Sequence, residues 1–136
     1  DGFVGHSVLG HWVNLGAGTT TSNLKNTYGE VALEVAGRRL ATGRQLLGSL
    51  IGDHAKTAIG TLLPTGTVIG AGANVFGPPN APKYVRPLAW GSDGREQISE
   101  EGFLRVAERV LPRREVTFTA ERRAALSATY RRLAAG

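Results

Sequence analysis

The chain of 136 residues has no cysteine. That excludes a disulfide framework, a thiolate nucleophile and a Cys-based zinc site. No apolar run approaches the roughly 20 residues that a membrane-spanning helix needs, and no signal peptide is visible. The expected setting is cytoplasmic, with no membrane partner. The net charge is +5, but no Lys/Arg-rich run occurs in the region of hexads described below. The arginines gather in the C-terminal tail and alternate with Glu, as on a solvated helix face. Nucleic acid is therefore not the expected partner, and a phosphorylated small ligand is the expected anionic one. The length suits one compact domain, or a domain with an appendage, around a modest core.

What the chain does contain is glycine, 19 of them, as many tight turns require. Their order is periodic. Residues 51–77 read IGDHAK TAIGTL LPTGTV IGAGAN VFG, which puts Ile51, Thr57, Leu63, Ile69 and Val75 in one column. Four places on stand Ala55, Thr61, Thr67 and Ala73, all small. The same ruler fits the N-terminus, with Phe3, Leu9, Leu15 and Thr21 in the first column and Ser7, Val13 and Thr19 in the second. A period of six is neither helical nor simple alternation. It marks a hexapeptide β-helix, each hexad supplying one short strand and a corner. The fold class expected is mainly β, a left-handed parallel β-helix with an inserted hairpin and a C-terminal extension of two helices.

The ruler breaks at 22–50. Tyr28 to Val35 alternates loosely, Ala36-Gly37-Arg38 supplies a turn and Arg39 to Thr42 returns, which reads as a β-hairpin thrown out from one corner. The β-helix with this insertion is expected over 1–77, in two to three coils. So short a stack calls for oligomerisation or for further coils upstream. The chain enters its first hexad almost at once and does not begin with Met, and so reads as a piece of a longer protein. Residues 78–94 hold four of the six prolines and are expected to be an extended linker anchored by Tyr84, Val85, Leu88 and Trp90. A helical tail follows over 95–136. Ser99 caps a first helix that runs Phe103, Val106 and Val110 down one face, and Thr119 caps a second with Leu126, Tyr130 and Leu133 as its stripe.

GHWVNLGAGTTTSNLKNTYG, followed after the insertion by IGDHAKTAIGTLLPTGTVIGAGANVFG, resembles the C-terminal β-helix of sugar-phosphate nucleotidylyltransferases. The likeness is to the bifunctional uridylyltransferase/acetyltransferase group that makes UDP-N-acetylglucosamine. It covers about residues 3–90 and rests on Gly16-Ala17-Gly18-Thr19, Asn23-Leu24-Lys25 and Ile51-Gly52-Asp53. The resemblance implies a homotrimer and, in some members, acetyl transfer from acetyl-CoA to an amino sugar phosphate. No intrinsic metal is expected in this segment, a cluster of histidines at a three-fold axis being the alternative. A second implication stands beside it: a non-catalytic trimerisation domain, with the active site of a nucleotidyltransferase in an N-terminal domain.

By register, Asn23 matches the family asparagine that contacts the sugar, and Lys25 follows where a basic side chain meets the sugar phosphate. Counting back from GAGT, the family's usual catalytic histidine falls just before Asp1. His6 sits where those enzymes typically have an Asp, so the base does not carry over. His6, His11 and His54 all fall at outward hexad positions and remain candidates, for catalysis or for phosphate binding. The expected catalytic pair is His54 with Asn23, and the expected substrate contacts are Lys25, Asn23 and His6. Lys56 and Arg44 carry the charge for the phosphates of acetyl-CoA. Asn14 and Asn74 end hexads, where Asn favours a corner conformation.

Overall fold

The computed structural model describes residues 1–136, which divide into two compact units, Asp1–Glu96 and Gln97–Gly136. In the first unit the period of six becomes a period of strands. After the insertion, two-residue strands begin at Leu50, Lys56, Leu62, Val68 and Asn74. Each pairs in parallel with the strand one turn of the chain away, and a full turn takes 18 residues, from Leu50 to its partner Val68. Successive short strands fall on three sheets, which we call faces A, B and C.

Face B stacks β1 (Val8–Leu9), β6 (Leu50–Ile51), β9 (Val68–Ile69) and β11 (Tyr84–Val85). Face C stacks β2 (Asn14–Leu15), β7 (Lys56–Thr57), β10 (Asn74–Val75) and β12 (Ala89–Trp90). Face A pairs β3 (Thr20–Thr21) with β8 (Leu62–Leu63), and parallel bridges extend it to Phe3 on one side and Asn80 on the other. This is a parallel β-helix.

Alternation within each two-residue strand decides what enters the core. Ile51, Leu63, Ile69 and Val75 are each 4% exposed or less, and the small column Ala55, Thr61, Thr67 and Ala73 is buried with them. Small residues are needed there because a coil turns its corner at that point and the interior narrows. Thr57 stands in the apolar column, and its hydroxyl is met by that of Thr19 at 2.8 Å. Without such a partner, a buried hydroxyl would cost about 1–3 kcal/mol. The same column loses its cover toward the N-terminus: Phe3 and Leu9 are 52% and 41% exposed, because the Phe3 bridge and β1 are the outermost rungs of faces A and B.

Residues 78–94 differ from the linker expected of them. Tyr84 and Val85 pair with Val68 and Ile69, and Asn74 pairs with Trp90. The prolines punctuate a further turn of the prism instead of ending it. The step from Asn80 to Tyr84 is four residues instead of six, which throws the ruler out of phase, and the step from Tyr84 to Trp90 is six again. Val85, Leu88 and Ala89 are fully buried, while Trp90 faces outward with its ring edge-on to Phe76 at 5.1 Å. The stack therefore has more turns than the two to three expected. The insertion does form the hairpin, β4 (Val31–Val35) antiparallel to β5 (Arg38–Arg44), with its turn at Ala36-Gly37.

The second unit contains α1 (Glu100–Val110) and α2 (Ala120–Ala135). Ser99 caps α1 by accepting from the Gly102 amide, and Thr119 caps α2 by accepting from Arg122. The buried face of α1 is Phe103, Leu104 and Ala107, not Phe103, Val106 and Val110. The offsets of one and four still describe a single stripe. Tyr130 is the buried residue of α2; its ring lies 5.9 Å from Phe103 and its hydroxyl donates to the Ile98 carbonyl at 2.6 Å. Arg131 and Ser127 hydrogen-bond to Glu100 and hold its carboxyl below the usual carboxylate range. Neither helix is long and apolar enough to cross a membrane.

Leu63→Ala is expected to destabilise the first unit by about 2–5 kcal/mol, the range for truncating a buried leucine. Ile59→Ala, at a position 79% exposed, should change stability by no more than about 0.5 kcal/mol. Urea denaturation followed by circular dichroism compares the two, and equal costs would contradict this core.

Candidate functional site

Two corners of the prism carry the polar residues singled out in the sequence. Each corner depends on a residue held in the left-handed backbone region, which turns the chain from one face to the next. At the corner between faces B and C these residues are Trp12, His54, Gly72 and Leu88, with φ of 62°, 62°, 71° and 61°. Asn14 and Asn74 do not play this part: both lie in strands, paired on either side of Lys56. The corner residues stack coil on coil through their amides. His54 donates to the His11 carbonyl, Gly72 to that of Asp53 and Leu88 to that of Ala71, at 2.8, 2.8 and 2.9 Å.

The backbone turn decides where the His54 side chain goes. It stacks on Trp12, ring centroids 6.4 Å apart at 24°, and is only 9% exposed. The outward, accessible position expected of it is therefore not what the fold provides. Its pKa is pushed down to about 4, by burial first and by the Lys56 ammonium second, with Asp53 opposing the fall. At neutral pH the ring is uncharged. Asp53 turns its carboxylate to the His11 amide at 2.7 Å. Gly10 is obligatory beside it, because a Cβ there would stand 2.1 Å from the Asp53 oxygen. His11 itself is exposed. Lys56 lies partly buried on face C and donates to the His54 carbonyl at 2.9 Å, and burial lowers its pKa. Its charge is thus turned into the corner.

The corner between faces A and B is different in kind, because the insertion leaves and re-enters there. Ser22 makes the last ladder bond, to the Leu63 carbonyl at 2.8 Å. The chain then departs, closes its neck through the Leu24–Leu46 bridge and the bond from the Leu47 amide to the Asn23 carbonyl, and returns as Gly48 donates to the His6 carbonyl at 2.8 Å. His6 holds the corner position of the coil below, with φ of 49°. The neck therefore sits on His6, and Asn23 Nδ2 lies 2.8 Å from His6 Nδ1. Beside the pair, face A opens as a groove of about 500 Å³ lined by Phe3, Thr20, Thr21, Ser22, Asn23, Leu62, Leu63, Pro64 and Asn80. Lys25 turns along the hairpin, its ammonium 3.4 Å from the Glu30 carbonyl.

The structure thus joins His6 with Asn23 and keeps Lys25 in the same region. It does not bring His54, Asp53 or Lys56 to them within the chain: those lie at and beyond the corner between B and C. Arg44 is exposed on β5 opposite Val31, on the hairpin side of the prism, whereas Lys56 is on face C. One residue was not legible in the sequence. Lys83, inside the proline-rich segment, donates to the Ala32 carbonyl at 2.8 Å and the Thr65 carbonyl at 2.7 Å, tying the hairpin to the prism. Nothing in its neighbourhood in sequence distinguishes it from a surface lysine. No group of three or more His, Asp or Glu side chains stands together as a metal site would need.

A parallel β-helix interrupted by one hairpin, with a polar pair at the hairpin's neck and an open groove beside it, is the class these features define. Two curated proteins are similar to it in sequence. A bifunctional sugar-1-phosphate nucleotidylyltransferase/acetyltransferase of Sulfurisphaera tokodaii is 42% identical over 74 residues, 54% of this chain and 18% of that protein. The bifunctional protein GlmU of Methanococcus vannielii is 35% identical over 69 residues, 51% of this chain and 16% of that protein. The resemblance to sugar-phosphate nucleotidylyltransferases with acetyltransferase activity therefore holds over about half of the chain. The chain spans less than a fifth of the length of the relatives it matches. No family model matches it.

The His54 environment has a measurable consequence. An imidazole titrating near 4 when folded and near 6.5 when unfolded leaves the unfolded chain holding more protons between those values. Its contribution to stability is complete above about pH 6.5 and falls away as the pH drops toward 4. His54→Asn retains a residue that tolerates the left-handed backbone and removes the titration. Urea midpoints from pH 7 to pH 4 should fall less steeply for this variant than for the unaltered chain, and parallel curves would show that His54 does not titrate this way.

Proposed function

We propose that this chain is a left-handed hexapeptide β-helix serving nucleotide-sugar synthesis. In this reading it transfers acetyl from acetyl-CoA to an amino sugar phosphate held in the face A groove. The observation that carries the reading is the 2.8 Å contact of Asn23 with His6 at the end of that groove. The two relatives, both bifunctional by name and one an acetyltransferase by name, support it.

The chemistry requires a base for the attacking amine, and His6 supplies it in preference to the enclosed His54. Asn23 acts as the orienting group. With its Nδ2 toward His6 Nδ1, the ring proton sits on Nε2. Turned end for end, the amide accepts from Nδ1–H through Oδ1 and leaves the Nε2 lone pair free, as a general base needs. The amine nitrogen then attacks the thioester carbonyl carbon, and an N–C bond forms. The C–S bond breaks, the CoA sulfur leaves as thiolate and takes up a proton, and the amine's proton passes to His6 Nε2. Neighbouring chains of a homotrimer would complete the acetyl-CoA site, with the exposed Arg44 as a cation for its phosphates, while Lys56 is held by the His54 carbonyl.

A second reading is favoured by exposed apolar groups on the prism. Ile59 is 79% and Leu62 43% exposed, a surface suited to contact between copies. Here the β-helix only assembles a nucleotidyltransferase as a trimer.

Thiol release from acetyl-CoA in the presence of glucosamine 1-phosphate separates the two. His6→Ala is expected to slow it by about 10²–10⁴, the usual worth of a positioned base, and Asn23→Ala by a smaller factor. Absence of release with any amino sugar phosphate would sink the first reading. Light scattering on a sizing column tests the second, which fails if the chain is monomeric.

A further inference from the structure

We propose that the face A groove takes an amino sugar carried on a longer saccharide, with one or two further uncharged sugar rings lying up the face toward Asn80. The proposal rests on the reading above for which end of the groove holds the amine. The outward column of face A runs through four rungs. Phe3 bridges to Thr20, Thr20 is in register with Leu62, and Leu62 bridges to Asn80. Three spacings between neighbouring strands make this column about 14 Å long. Asn23 follows Thr20 along the chain and meets His6, which follows Phe3, so the polar pair marks one end of the column. A single amino sugar at that end covers the first two rungs. It leaves Leu62 and Asn80 uncovered.

The far end has the chemistry of a second sugar seat. The column alternates, with apolar Phe3, polar Thr20, apolar Leu62 and polar Asn80, so a pattern that serves one ring occurs twice. A pyranose ring has an apolar C–H face and a rim of hydroxyls that both donate and accept. Phe3 and Leu62 are exposed and offer apolar surface to such faces. The Asn80 amide is exposed and makes no hydrogen bond within the chain, so its two donors and its acceptor can meet hydroxyls. The Thr20 hydroxyl donates to the Gly18 carbonyl at 3.0 Å, which leaves its oxygen as an acceptor. None of the residues lining the groove is charged. The phosphates of a nucleotide would therefore find no countercharge along the column. Pantetheine is also uncharged, but it has no ring face for Phe3 and Leu62. A copy of the chain seated on Leu62 would close the groove, so contact between copies at that residue and saccharide binding exclude each other.

The 136-residue chain is titrated with glucosamine, with its unacetylated disaccharide and trisaccharide, and with pantetheine, and binding is followed in the amide NMR spectrum. That spectrum also reports whether each variant is folded. Affinity should rise by about tenfold or more from one ring to the longest saccharide, the worth of an added hydrogen bond with its packing. Asn80→Ala should remove most of that gain and Leu62→Thr part of it. Phe3→Ala should instead weaken all three saccharides. Equal affinities for one, two and three rings, or a gain indifferent to Asn80→Ala in the folded variant, would overturn the proposal. So would a pantetheine affinity that falls with Asn80→Ala while those of the saccharides do not. No acetyl transfer enters the measurement, so its outcome is separate from that of the reading above.

Discussion

Each turn of this prism must bend the chain sharply at three corners while keeping every strand in parallel register with its neighbours. That constraint governs the rest of the unit. A sharp corner of this kind requires a left-handed residue, which costs a non-glycine side chain roughly 1 kcal/mol or more. Gly18, Gly60 and Gly66 meet the requirement without that cost. Trp12, His54 and Leu88 do not, yet they occupy three levels of one corner, with Gly72 between the second and the last. The amides of His54 and Leu88 donate from coil to coil, and the side chains are enclosed to different degrees, Leu88 completely and His54 nearly so. Burial and ladder bonds offset the strain. The corner is thereby a packed column in its own right, and a histidine placed in it is a structural residue before it is anything else.

Much of the prism could be read from the sequence because its rule is local and repeated. Ile51, Leu63, Ile69 and Val75 fall in one column, and all four are core. The hairpin turn at Ala36-Gly37 and the caps at Ser99 and Thr119 were legible for the same reason, each being set by a few adjacent residues. The last turn was not legible. Between Asn80 and Tyr84 the spacing contracts, and prolines stand where hexads would otherwise be counted, so periodicity cannot find Val85 or Leu88. Register can: Tyr84 lies on Val68 because the stack below offers an unpaired face, and that is a property of the folded molecule.

The candidate site was legible by half. Asn23 and Lys25 stand out by their place before the insertion, but their neighbours depend on where the insertion re-enters. His6, His11 and His54 look alike as outward positions on a hexad ruler. Their corners separate them: the neck of the hairpin faces His6, solvent surrounds His11, and Trp12 covers His54. Lys83 gave no signal because its partners, Ala32 and Thr65, lie 51 and 18 residues away. A ruler of six residues carries no information on contacts of that range.

The insertion therefore has two roles that reinforce one another. A regular β-helix offers flat faces and shallow corners, with few places where side chains of different coils converge. Breaking the repeat after Thr21 and resuming at Leu50 creates such a place, because the neck must cross the corner held by His6 and the hairpin must be tied down again further along the stack. Asn23 belongs to the first crossing and Lys83 to the second. The same departure that interrupts the repeat brings together a histidine and an amide from separate coils, and fastens two ammonium groups to the hairpin's carbonyls. The regular part of the chain makes the prism rigid, and the irregular part gives it the convergent polar groups that a binding site requires.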